Sequence, residues 1–172
     1  QEQPDTVLVY GDTNSTLAGA LAAAKLNVPV AHVEAGLRSY NRKMPEEHNR
    51  VLTDHCSSQL FCPTQTAVDN LHNEGITENV HLVGDPMFDA ALHFLPIAKD
   101  HSTILEDHKL TSGQYFLITL HRPSNVDDPA TLTTLLETLN SLPLPVLFPI
   151  HPRTQAKIEK LPKQNYPNIQ TI

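Results

Sequence analysis

Three carboxylates, four arginine or lysine side chains and two histidines fall within nineteen residues, HVEAGLRSYNRKMPEEHNR, from His32 to Arg50. An apolar run, Val28 to Val33, leads straight into them. Glu34 ends that run and precedes Ala35-Gly36, where glycine allows a sharp turn or close approach to a ligand. Pro45 is followed by Glu46 and Glu47. Proline at a first helical position with acids in the first turn marks a helix start, and the dipole there favours ionised carboxylates. Arg50 stands four residues after Glu46, a spacing at which the two can hold each other. Ionised carboxylates suit stabilising a positive transition state or taking a proton.

Asp12 follows Gly11 behind the apolar run VLVY. Asp caps helices well, but GDTNST offers other caps, so Asp12 is open to either role. His121 and Arg122 follow YFLITL, and His151 and Arg153 follow VLFPI. A guanidinium fork beside a histidine donor can grip phosphate. The plainer alternatives are a surface pair between Glu34 and Arg38 and a solvated loop at His121. Ten histidines raise the question of a metal. None shows ligand spacing: His48 and His55, seven residues apart, do not make a pair alone. There is no G-x-G-x-x-G, no P-loop and no G-x-S-x-G elbow.

The elements that must position these groups read as strands alternating with helices. Strands are expected at Val7 to Tyr10, Val28 to Val33, Gln59 to Cys62, Val80 to Val83, Tyr115 to Leu120, Val146 to Ile150 and from Asn168 onward. Helices are expected in DTNSTLAGALAAAKLN, from Pro45 to about Cys56, from Thr64 to Asn73, from Ala130 to Leu139 and from Arg153 to Lys160. This is an α/β fold with doubly wound parallel sheets. Each polar cluster falls just after a strand, where the ligand crevice of an open α/β sheet lies, so the four clusters are expected to converge. Beyond Val83 the pattern loosens around Pro96, which places a linker over residues 96–112 between domains at 1–95 and 113–172.

The chain has 172 residues, a formal net charge of -7, 40% hydrophobic and 18% charged residues. That composition supports a core and argues against disorder. It lacks the broad basic field that non-specific nucleic-acid binding needs. No apolar run approaches the roughly 20 residues of a membrane span. Gln1 to Asp5 is polar and shows no signal peptide. Cys56 and Cys62 read as two reduced thiols of a cytoplasmic protein. The abrupt start in QEQPDTVLVY and stop in NYPNIQTI suggest a piece of a longer polypeptide.

The motifs VYGDTNSTLAGALAA, VAHVEAGLRSYNRKMPEEHNR, CPTQTAVDNL, VGDPMFDA, ITLHRPSN and FPIHPR together resemble the non-hydrolysing UDP-N-acetylglucosamine 2-epimerase family, in order and across nearly the whole chain. The resemblance implies a glycosyltransferase-B-like architecture of two Rossmann-type domains, of which this chain is a partial segment. It implies an isomerase that interconverts C2 epimers of UDP-N-acetylhexosamines for polysaccharide synthesis. UDP would leave by anti elimination to a 2-acetamidoglucal and re-add after inversion at C2. No cofactor and no metal are implied; the partners are the UDP-sugar and, at full length, a second copy in a homodimer, without nucleic acid or membrane. Position by position, Asp12, Glu34 and Glu46 match the family's proton-handling and cation-stabilising carboxylates, and His121 its catalytic histidine. Arg122 and His151 match positions that contact nucleotide or a second, allosteric UDP-sugar. Arg50 would brace Glu46 at the substrate. The family's GTRPE and DSGGxQEE segments are absent, and Ser124 stands where many members carry Glu. The isolated chain is therefore expected to be inactive. The loop between Glu34 and Pro45 resembles members that act on modified sugars, such as diacetamido-uronates or acetamido-deoxyhexoses. The alternatives are a hydrolysing relative and a UDP-sugar-binding domain without turnover.

Overall fold

Short, mostly apolar runs form the strands of a computed structural model that describes residues 3–172. Gln1 and Glu2, part of the expected polar start, lie outside the described residues. The chain divides between Pro96 and Ile97 into two compact units.

In the first unit, β1 (Val7–Tyr10), β2 (Val30–Val33), β3 (Gln59–Cys62) and β4 (Val80–Leu82) form a parallel sheet in the order β1-β2-β3-β4. Between them run α1 (Asn14–Lys25), α2 (Pro45–Cys56) and α3 (Gln65–Asn73). In register, Val9 lies beside His32 and His32 beside Leu60, so these residues share a face. Val9 and Val30 pack on Ala20 and Ala23 of α1, with Cys56 of α2 alongside. Leu60 and Cys62 pack on Ala67, Val68 and Leu71 of α3. All three helices cover one face, as right-handed crossovers require when a sheet grows in one direction. The other face carries Leu8 and Tyr10, which are exposed.

The helix starts follow from their caps. Thr13 and Thr16 form a capping box on α1, and the Thr16 hydroxyl donates to the Tyr10 carbonyl at 2.6 Å. Asp12 is thereby released from capping. Pro45 opens α2 with Glu46 and Glu47 in its first turn, and Thr64 caps α3.

Helix α4 (Pro86–His101) runs through Pro96, so the sequence expected as a linker begins inside a helix and includes α5 (Ile104–Asp107). Proline removes one backbone donor, and the turns on either side carry the helix past it.

The second unit holds β5 (Phe116–Leu117), α6 (Pro123–Val126), α7 (Pro129–Asn140), β6 (Val146–Phe148), α8 (Pro152–Ile158) and β7 (Ile169–Thr171), with parallel strand order β5-β6-β7. Its core gathers Val126, Leu132, Leu136 and Phe148. Strand β5 is much shorter than the apolar run YFLITL promised. Three residues beyond its end, the Leu120 carbonyl accepts from the Thr154 hydroxyl.

Candidate active site

The loop after β1 and the first turns of α2 build the centre of the site. Asp12 is held by Arg50: Nε lies 3.1 Å from Oδ2, and Nη2 donates to the same oxygen. The remaining guanidinium nitrogen, Nη1, donates to Glu47 Oε2 at 3.2 Å. Asn49 adds a donor to the Asp12 carbonyl at 2.9 Å. The i, i+4 pair between Glu46 and Arg50 expected from the sequence does not form. Two other acceptors, one from β1's loop and one at i, i+3, occupy the fork. All three guanidinium nitrogens of Arg50 thus have protein acceptors.

Glu47 is a structural anchor. It is 4% exposed and accepts from Ser39 N–H at 2.9 Å, the Ser39 hydroxyl at 2.8 Å and Tyr40 N–H at 2.7 Å. Burial opposes its ionisation, but these bonds and the Arg50 charge win and hold its carboxyl below the ordinary glutamate range. Glu46, one residue earlier, faces solvent. Among the described residues it makes no side-chain hydrogen bond or ion pair. The carboxylate matched by the sequence motif is left free, and its neighbour holds the loop.

Glu34 directly follows β2 with φ 75°, a left-handed conformation unusual for glutamate. Its N–H and that of Ala35 both bond the Phe61 carbonyl at 3.1 Å, which pins the turn. A Cβ placed on Gly11 would lie 3.3 Å from Glu34 Oε2, so the glycine makes room for that carboxylate against β1's loop. Burial first, then the charges of Asp12 and Asp85, raise the Glu34 carboxyl above the ordinary range against the pull of His32 and Arg50. Glu34 does not pair with Arg38. Arg38 is buried between Asp54, 2.7 Å away, and Glu74, also 2.7 Å away.

Asp54 was not singled out by the sequence, yet its carboxylate takes His32 Nδ1, Gly36 N–H and Arg38 Nη1. The available signal was His32 itself, since a histidine inside an apolar strand needs a polar partner. A cavity of about 540 Å³ borders α2 at His48, Leu52 and His55 with Tyr40 and Arg42 opposite; neither Asp12 nor Glu34 lines it.

In the second unit the rings of His121 and His151 lie 5.6 Å apart between centroids. His151 Nδ1 accepts from Arg153 N–H at 3.1 Å and so caps α8. Its neutral ring therefore carries hydrogen on Nε2, ready to donate. Arg122 is exposed at the start of α6. Arg153 is drawn off by Asp127 at 2.6 Å, which Lys157 also meets at 3.1 Å. The structure brings together Asp12 and Glu34 in one unit, and His121 and His151 in the other.

Residues 1–172 match the family model described as UDP-N-acetylglucosamine 2-epimerase. A UDP-2,3-diacetamido-2,3-dideoxy-D-glucuronate 2-epimerase of Pseudomonas aeruginosa is 52% identical over 94% of this chain and 46% of its own length. A UDP-N-acetylglucosamine 2-epimerase homolog of Methanococcus maripaludis is 49% identical over all of this chain and 50% of its own length. The crystal structure of Methanocaldococcus jannaschii UDP-GlcNAc 2-epimerase, in complex with UDP-GlcNAc and UDP, superposes with a TM-score of 0.84 at 44% identity. That match covers 98% of this chain and 49% of the other. The chain spans about half the length of these relatives. Its parallel-sheet α/β fold is that of the glycosyltransferase-B-like epimerase structures, and the chain belongs to the UDP-N-acetylglucosamine 2-epimerase family.

Proposed function

We propose that this chain supplies the carboxylate half of a non-hydrolysing UDP-N-acetylhexosamine 2-epimerase. The observation that carries the reading is the pairing of Asp12 with Arg50 while Glu34, its proton affinity raised, stands against the same loop. In the reaction the C1–O bond to UDP breaks with its electron pair leaving on the diphosphate. The C2 proton passes to a protein base, which gives a 2-acetamidoglucal. UDP then re-adds at C1 and a proton arrives on the opposite face of C2. C2–H is a weak acid, so positive character at C1 must develop first. Anionic groups are needed there, and a carboxyl that binds protons readily is needed at C2. Asp12 and the solvent-facing Glu46 supply negative charge, and Glu34 moves the proton. His121, Arg122 and His151 hold the diphosphate, with His151 donating from Nε2.

The sugar is UDP-N-acetylglucosamine or a modified UDP-acetamido sugar. The 52% identity to a diacetamido-uronate epimerase favours testing both. In heavy water, the protein at its full length is expected to place deuterium at C2 while the other C2 epimer appears in NMR. Asp12→Asn and Glu34→Gln are each expected to lower that exchange about a hundredfold or more. Free UDP in stoichiometric amount would instead identify a hydrolysing enzyme. Nucleotide binding without exchange of any of these sugars would leave only a binding domain.

A further inference from the structure

His32 lies in the middle of β2 and is fully buried. Both ring nitrogens face acceptors: Nδ1 is 2.7 Å from Asp54 Oδ1, and Nε2 is 2.8 Å from the Gly11 carbonyl. A carbonyl only accepts, so Nε2 carries a hydrogen. The other oxygen of Asp54 takes Gly36 N–H at 3.1 Å and Arg38 Nη1 at 2.7 Å. Those donors suit a carboxylate, so Nδ1 also donates and the ring is an imidazolium. Arg38 is in turn paired with Glu74, which lies 4.0 Å from His55. The Cys62 thiol, pushed up to about 11 by burial and by Asp54, adds no charge of its own near neutral pH.

A buried ion pair of this kind is a poor source of stability, because desolvation offsets the attraction. Its reach is more informative. One end holds the backbone of Gly11, directly before Asp12. The other holds Gly36, two residues after Glu34. Both glycines have positive φ, 64° and 78°, and so mark the points where the two loops turn. Resting on the reading of Asp12 and Glu34 as the reacting carboxylates, we propose that His32 and Asp54 are positioning residues. As a doubly donating imidazolium on a carboxylate, the pair ties the Gly11 and Gly36 turns together and sets the separation of Asp12 from Glu34.

The test uses the protein at its full length with ¹⁵N-labelled histidine. Long-range ¹H–¹⁵N spectra at neutral pH are expected to show both His32 nitrogens protonated; an unprotonated nitrogen on that ring would overturn the proposal. In His32→Ala, kcat for C2 exchange is expected to fall about a hundredfold with KM for the UDP-sugar nearly unchanged, since small misplacements of reacting groups cost rate rather than binding. His32→Gln, whose amide N–H can still reach the Gly11 carbonyl, is expected to recover part of the loss. Unchanged kcat, or a loss confined to KM, sinks the idea. If His32→Ala does not fold, the near-isosteric Asp54→Asn is read the same way. If the wild-type protein shows no exchange, the functional reading fails by itself. The Gly11 and Gly36 amide resonances of His32→Gln then decide the structural claim: displaced signals support it, and unmoved ones refute it.

Discussion

At the scale of single residues, neighbouring carboxylates are given different work by their partners. Glu47 is buried and saturated with donors, and Glu46 is free. Glu34 is desolvated and faced by Asp12 and Asp85. A carboxyl raised in the folded state binds its proton more tightly there than in the unfolded chain. Its contribution to stability is greatest at low pH and falls as pH rises from the ordinary glutamate value through the raised one. Carboxyl ¹³C NMR on the chain is expected to show the Glu34 midpoint above that of a free glutamate. Asp85→Asn should lower it part of the way, because burial and Asp12 remain. A midpoint unmoved by Asp85→Asn would mean that burial and Asp12 alone set the proton affinity.

At the scale of elements, the site depends on how closely β2's loop approaches α3. A Cβ on Gly36 would stand 2.3 Å from the Ala67 carbonyl oxygen, and its φ of 78° is itself unfavourable for other residues. Neither partner is a flexible side chain, so the strain cannot be relieved locally. Gly36→Ala is expected to destabilise the chain by about 2 kcal/mol or more, read as a lowered midpoint in urea or heat. A midpoint equal to wild type would show that α3 can shift without penalty. The same elements show what the sequence discloses. Pro45-Glu46-Glu47 and Thr64 marked their helix starts because caps and dipoles are local effects. VLVY and QLFC marked their strands because β-branched and aromatic side chains suit a pleated sheet, even though Leu8 and Tyr10 stay exposed. YFLITL yielded only a two-residue strand, Phe116–Leu117, although the Ile118 N–H still reaches the Leu147 carbonyl at 3.1 Å. The Glu46 partner expected for Arg50 did not form. Spacing along α2 offered it Glu46, and only folding brought Asp12 within reach. Asp54 went unread because its three donors come from β2 and the loop behind it, up to 22 residues away in sequence.

At the scale of the whole molecule, the chain spans about half the length of the relatives it matches. The hydrogen bonds to the Asp12 and Glu47 carboxylates, and the charges acting on Glu34, all come from the first unit. The matched relatives are about twice as long. Leu8 and Tyr10, on the sheet face that no described helix packs against, are 50% and 61% exposed. Preorganised carboxylates accelerate a reaction only when the substrate is held against them, and remote binding energy from the nucleotide supplies that hold. The family's DSGGxQEE segment, associated with gripping UDP, does not occur in these 172 residues. The chain alone is therefore expected to give no deuterium at C2 of UDP-N-acetylglucosamine in heavy water, while the protein at its full length does. The Glu34 titration should nevertheless be the same in both, because its determinants lie inside the first unit. Exchange by the chain alone at the rate of an intact enzyme would show that this segment holds a sufficient UDP site of its own. Different Glu34 midpoints in the two forms would show that the remaining segments shape the carboxylates as well as the substrate's hold.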